Sequence, residues 1–208
     1  MDRSVVGLAD RYPDEVSRII AGRAGGRRLS TPTHDRTRPT SDLVRESAFN
    51  LIADWAGTVG EPAESMLERF SLLDLYGGTG AIALEAASRG AGPVVCVEKD
   101  RSTAALARGN ARATDLPIDV VTSSVETYLA GRPQPFDVVW FDPPYDVAAA
   151  VVDAQIGAVV DGWLADDGLV VVERSSRGPA PQWPQSLPDQ RTRRYGETTL
   201  YLASKEEA

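Results

Sequence analysis

From residue 71 onward, short apolar runs alternate with longer stretches in which apolar positions recur every three or four residues. Such short runs, bounded by turn residues, predict buried strands at Ser71–Tyr76, Pro93–Glu98, Ile118–Thr122, Phe136–Phe141 and Leu169–Glu173. The intervening stretches Ala81–Arg89, Ser102–Ala113, Val125–Leu129 and Ala148–Leu164 predict helices. Strand alternating with helix is the mark of a parallel sheet with crossover helices. After the proline-rich loop Gly178–Pro188, Arg191–Tyr195 and Thr198–Ala203 flank Gly196-Glu197 as a terminal antiparallel hairpin. The pattern therefore predicts an α/β fold with a seven-stranded, mostly parallel sheet that ends in that hairpin.

Upstream, Leu43, Val44, Ala48, Leu51, Ile52 and Trp55 recur at helical spacing. Thr40 or Ser41 is placed to cap that helix, Asp42 sits in its first turn, and Gly57–Pro62 ends it near Ala56. Ser17–Leu29 reads as a short strand or hairpin with glycine turns. Residues 1–17 lack a period and are expected to be a poorly ordered extension. Three regions follow: that extension, an arm with its helix over 18–60, and the sheet domain over 61–208.

Composition narrows the function. The chain has 208 residues with 42% hydrophobic and 25% charged content, ordinary for a soluble domain. No apolar run approaches the ~20 residues of a membrane span, and the start has no signal-peptide core. Cys96 is the only cysteine and lies in a valine run, so it reads as a small buried hydrophobe, and a reducing cytoplasm fits. With one histidine and one cysteine, zinc chemistry built on those ligands is excluded and no metal is expected. His34, among polar arm residues, reads as solvated or phosphate-contacting, and Trp163 and Trp183 as packing groups. The net charge of −8 argues against non-specific coating of nucleic acid. Yet Arg18, Arg23, Arg27, Arg28, Arg36, Arg38 and Arg45 face only Asp35 and Asp42 in that segment. All seven are arginine and none is lysine, which favours bidentate contact with phosphate.

The chemistry sits at strand ends. Two prolines in Asp142-Pro143-Pro144-Tyr145 cannot continue the fourth strand, so the chain leaves it in a rigid turn. A carboxylate, backbone carbonyls and an aromatic ring there suit a planar, NH-bearing group. The first strand runs through Asp74 and Tyr76 into Gly77-Gly78-Thr79-Gly80 and a helix, a turn that lets backbone approach a ligand. An acid before it would repel a pyrophosphate but suit a ligand's ammonium group. Glu98, with Lys99, ends the next strand about twenty residues on, where a carboxylate receives ribose hydroxyls. Ser123-Ser124-Val125 after the third strand is a weaker candidate for an adenine edge.

Glycine turn, acidic strand end and D-P-P-Y in this order resemble the class I S-adenosylmethionine-dependent methyltransferases that act on amino groups. Arg18-Ile19-Ile20-Ala21-Gly22, Thr37-Arg38-Pro39-Thr40 with Arg45-Glu46 and Phe49-Asn50, and Leu84–Ala91 narrow the resemblance to the RsmD family, over residues 18 to about 203. That resemblance implies a Rossmann-like fold and methylation of the exocyclic N2 amino group of one guanine in small-subunit (16S) ribosomal RNA. The expected substrate is the small ribosomal subunit or an assembly intermediate, met by a cytoplasmic monomer. Asp142, Pro143, Pro144 and Tyr145 would be catalytic. S-adenosylmethionine would meet Asp74, Tyr76, Gly77, Gly78, Thr79, Gly80, Glu98, Lys99, Ser124, Val125 and Asp142. The seven arginines would clamp RNA. DNA adenine or cytosine methylators and protein glutamine methylators share the proline turn. They usually add a recognition domain, for which the roughly fifty residues between 18 and the first core strand leave little room. A non-catalytic cofactor-binding RNA module would not need an amine-gripping turn.

Overall fold

The computed structural model describes residues 17–32 and 41–205. The extension before residue 17, Arg36, Arg38, His34 and the Thr37–Thr40 segment lie outside the described residues. Helix α1 (Asp42–Trp55) begins on Ser41, whose hydroxyl accepts from the Val44 N–H, and buries Val44, Ala48, Phe49 and Ile52 along one face. Strand β1 (Leu72–Leu75) leads to α2 (Ala81–Ser88), β2 (Val94–Glu98), α3 (Arg101–Thr114), β3 (Asp119–Thr122) and α4 (Val125–Leu129). Then come β4 (Phe136–Phe141), α5 (Ala149–Val160), β5 (Leu164–Ser175), β6 (Asp189–Tyr195) and β7 (Thr198–Ser204).

The seven strands form one sheet in the order β3-β2-β1-β4-β5-β7-β6. The first five pair parallel and the last two antiparallel, as the alternation predicted. Alternate side chains of each strand feed separate cores. Val138 and Trp140 of β4 join α1, α2 and α3 on one face, while Val139 and Phe141 join α4 and α5 on the other.

One boundary differs from the sequence expectation. The helix expected over Ala148–Leu164 ends at Val160, and Leu164 already pairs with Phe136 as the start of a twelve-residue β5. Apolar residues run through both elements, so periodicity alone could not place the break. It falls at Gly162, where a Cβ would lie 3.1 Å from Pro133.

Residues 17–29 do form a hairpin, with Arg18 and Arg28 in antiparallel bridge. It docks on α2 through buried polar contacts. The Glu85 carboxylate accepts the Ile20 and Ala21 N–H groups at 2.7 and 3.1 Å and Arg89 Nε at 2.8 Å. Ser88 Oγ accepts the Ala24 N–H and donates to the Ala21 carbonyl. Gly22 has φ +80°, and a Cβ there would lie 2.0 Å from the Ser88 carbonyl oxygen, so only glycine permits this approach. Ile19 and Leu29 share the α1–α2 core, so the arm is continuous with the packing of the sheet.

Candidate functional site

Placing β1 between β2 and β4 brings the three chemistry-bearing strand ends side by side. Leu75 registers with Val97 on one side and Phe141 on the other, so the 77–80 turn, Glu98 and the 142–145 turn occupy adjoining tips about 5 Å apart. In an open α/β sheet this carboxyl edge is where ligands bind.

The glycine turn is tight because its surroundings are close. A Cβ on Gly77 would sit 2.3 Å from Cys96 Sγ, and Tyr76 and Gly80 take left-handed φ of 68° and 82° to enter α2. Beneath the turn Asp74 is 1% exposed and accepts the Ala83 N–H at 3.2 Å. Burial raises its pKa well above the ordinary aspartate value; the Ala83 bond opposes this, and the Asp142 and Glu98 charges add to it. Glu98 spans the edge, accepting the Gly78 N–H at 3.0 Å and the Asp100 N–H at 2.7 Å. Three carboxyl groups thus gather in one small region, an acceptor set suited to a ligand bearing an ammonium group and hydroxyls.

The Asp74 shift has a stability consequence. The folded form holds a proton that the unfolded form releases near pH 3.8, so ionising Asp74 costs stability as pH rises above that value. Asp74→Asn keeps an acceptor for Ala83 and is expected to raise the melting temperature at pH 7, with the gain vanishing below about pH 3.5. Thermal melts across pH check this; an unchanged or lowered melting temperature at pH 7 would mean that the site already neutralises the carboxylate.

The 142–145 turn has Pro143 buried and Tyr145 74% exposed, so the ring stands open at the rim. The Val147 N–H closes the turn on the Pro144 carbonyl at 3.0 Å. Other expected residues have different local duties. Tyr76 turns its hydroxyl to Gln155 Oε1 at 2.7 Å, and Gln155 donates on to Glu126, so only its backbone faces the tips. The Ser124 hydroxyl caps α4 by accepting the Thr127 N–H, and Val125 is buried, while Ser123 N–H bonds the Glu98 carbonyl. Lys99 is exposed.

The arginines divide. Arg18, Arg23, Arg27 and Arg28 are exposed on the hairpin; Arg18 pairs with Asp42 and Arg27 caps the end of α3 at the Thr114 carbonyl, 2.7 Å away. Arg45 corrects the expectation of seven RNA contacts. It is 1% exposed, donating to the Arg18 carbonyl at 2.6 Å and Asp42 at 2.8 Å, and burial lowers its pKa. A guanidinium so enclosed holds the hairpin to α1 and does not reach a phosphate. Asn110 was not foreseen. Buried on α3, it accepts the Ser30 N–H and donates to the carbonyls of Ser30 and Thr79, tying the arm to the glycine turn. Its signal was a polar residue on the apolar stripe of Ala104 and Ala107.

Among the described residues no helix is long and apolar enough to cross a membrane. The family described as conserved hypothetical protein 95 matches residues 17–204. The ribosomal RNA small subunit methyltransferase D of Escherichia coli is 33% identical, covering 91% of this chain and 90% of its own. A solved Escherichia coli structure overlays at TM-score 0.77 with 29% identity, covering 92% of this chain and 98% of that one. A Thermus thermophilus 16S rRNA N2 G1207 methyltransferase, solved with S-adenosylmethionine and guanosine, shares the fold. Its TM-score is 0.62 at 21% identity, over 84% of this chain and 45% of that one.

Proposed function

We propose a reaction for this chain from the family it belongs to, that of conserved hypothetical protein 95 and the RsmD methyltransferases: methyl transfer from S-adenosylmethionine to the exocyclic N2 amino group of a guanine in small-subunit (16S) ribosomal RNA. The observation that carries this reading is the adjacency of the 77–80 and 142–145 turns across the β1–β4 pair. Both a cofactor cradle and an amine-gripping turn then open onto one edge.

The residues fit the cofactor by their chemistry. Asp74, which holds its proton in the unliganded fold, would ionise against the ligand's ammonium end, and Glu98 is placed for the ribose hydroxyls once it exchanges the Gly78 N–H for them. The backbone of 76–80 lines the methionine portion, and the 123–125 backbone and Asp142 complete the cradle. When bound, S-adenosylmethionine supplies an already activated methyl on a cationic sulfur. The protein's task is positioning. Asp142 and the Pro143 carbonyl accept hydrogen bonds from the guanine amino group, whose lone pair is otherwise delocalised into the ring. That localises the pair and aims it along the transfer line, and orientation of this kind contributes much of a rate enhancement. Tyr145 stacks on a base swung out of its helix. Once methylated, the amino group would carry a proton to lose, and Asp142 is placed to take it and pass it to solvent. The arm over 18–60 holds RNA phosphates, the domain over 61–208 does the chemistry, and the enzyme acts as a cytoplasmic monomer on the subunit or its assembly intermediate.

Radiolabelled cofactor offered with small subunits, naked ribosomal RNA and duplex DNA tests this. Label should enter the RNA of small subunits as N2-methylguanine. Label in DNA or in protein glutamine would replace the substrate class, and binding of cofactor with no transfer anywhere would leave a non-catalytic module.

A further inference from the structure

The basic residues of the sheet's other edge are not used by this mechanism. β5 runs parallel to β4, β7 runs against β5, and β6 runs against β7, so β6 ends at the same edge as the catalytic turn. The register is definite: Phe141 pairs with Val172, and two residues further Arg174, Thr199 and Arg194 lie abreast. Arg174 and Arg194 therefore stand level with Pro143, one and three strands away, about 5 and 14 Å sideways. Arg174 Nη2 donates to the Val147 carbonyl at 3.3 Å, buttressing the segment that follows the turn. Beyond it Arg177, Arg193 and Arg194 are exposed. Arg193 and Arg194 donate to the carbonyls of Thr192 and Gly196, on their own hairpin.

These residues form a cationic rim. Residues 174–177 and 193–197 hold four arginines against one acid, Glu197, in a chain whose net charge is −8. Glu197 pairs with Arg177, but both side chains are largely exposed, so the pair exchanges readily in water. Charges on an edge strand also guard against edge-to-edge pairing. That duty needs no clustering at one end, however, and Arg191, further back on β6, is matched by Asp54 and Asp189. On β6 the exposed arginines, Arg193 and Arg194, gather where the strand reaches the catalytic edge.

We infer that Arg177, Arg193 and Arg194 contact RNA phosphates on the far side of the catalytic turn from the N-terminal hairpin. The inference rests on the RNA-substrate reading above. The hairpin docks on α2 and α3, beside β1 and β2, whereas this rim lies beyond β5. Across the sheet order Asp142 then lies between the hairpin side and this rim, and the rim adds a basic contact level with the catalytic turn. Arginine suits the task because its fork meets phosphate oxygens in pairs.

Arg193→Gln/Arg194→Gln and, separately, Arg177→Gln test this, with Arg193→Lys/Arg194→Lys retaining charge. The double glutamine variant is expected to raise KM for small subunits about tenfold, leaving kcat and cofactor Kd within twofold. It should also flatten the salt dependence of KM by about 1 to 2 in log–log slope. The lysine variant should recover most of the loss, and Arg177→Gln should show a smaller rise of the same kind. If wild-type protein methylates subunits and every variant keeps its KM and salt slope, the rim is not an RNA contact and the reading of the reaction stands. Self-association of the glutamine variant with unchanged KM would assign these charges to edge protection instead. If wild-type protein transfers methyl to no RNA, both fall together.

Discussion

Replacing Asp142 by alanine is expected to reduce methyl transfer at least a hundredfold while leaving S-adenosylmethionine affinity within a few-fold. The carboxylate lies at the tip of β4, one residue past Phe141, which pairs with Leu75 two residues before the glycine turn. Its charge is felt by Asp74, so the two turns share one electrostatic environment. An acceptor whose bond strengthens as the amino group develops positive charge stabilises the transition state more than the ground state, and single groups of this kind are worth about 10²–10³ in rate. On the proposed reading the cofactor would keep Asp74, Glu98 and the glycine turn, so its binding should barely change. Single-turnover rates and calorimetric cofactor titration separate the two. Loss of both together would mean that Asp142 is a cofactor ligand first. Asp142→Asn, which offers one acceptor and one donor, should fall between wild type and alanine.

The second large effect concerns folding. Glu85→Ala is expected to destabilise the protein by about 3–5 kcal/mol, a fall of roughly 10 °C in melting temperature. Glu85 is fully buried and serves two backbone N–H groups of the hairpin and Arg89 at once. Arg89 is itself 4% exposed and lies over the Phe49 ring, 5.0 Å from its centroid. Removing the acid strands that buried guanidinium and leaves the half-buried Ile20 and Ala21 amides without their partner. Glu85→Gln retains an acceptor and should lose less. Because the same carboxylate pins the arm, hydrogen exchange at residues 19–29 should accelerate beyond the global change. A loss below 1 kcal/mol would mean that the hairpin is docked by Ile19, Leu29 and its other contacts, those of Ser88, Arg45 and Asn110, without need of Glu85.

Much of this was legible in the residues because buried parallel strands write themselves as unbroken apolar runs. Val94–Val97 and Phe136–Phe141 needed no tertiary information. Asp142-Pro143-Pro144-Tyr145 was equally plain, since no strand continues through two prolines. What escaped were residues whose meaning depends on a distant partner. Arg45 reads as one more arm cation until α2 brings the buried Glu85, forty positions on, close enough for its charge to act on it. Asn110 reads as a solvated helix residue until Ser30 and Thr79 arrive on either side of it. Ser124 had a local signal, a hydroxyl just ahead of a helix, and its capping role takes the hydroxyl that an adenine contact would have used. The Leu84–Ala91 segment carried part of the family resemblance, and the structure explains why: Glu85, Ser88 and Arg89 are the receptor for the hairpin.

A structure of the protein with S-adenosylmethionine and guanosine tests the central claim most directly. The guanine amino nitrogen should lie about 3–3.5 Å from the transferable methyl carbon and within hydrogen-bond reach of Asp142 and the Pro143 carbonyl, its ring against Tyr145. A nucleoside bound away from the β1–β4 edge, or a cofactor whose methyl points away from the 142–145 turn, would contradict the account.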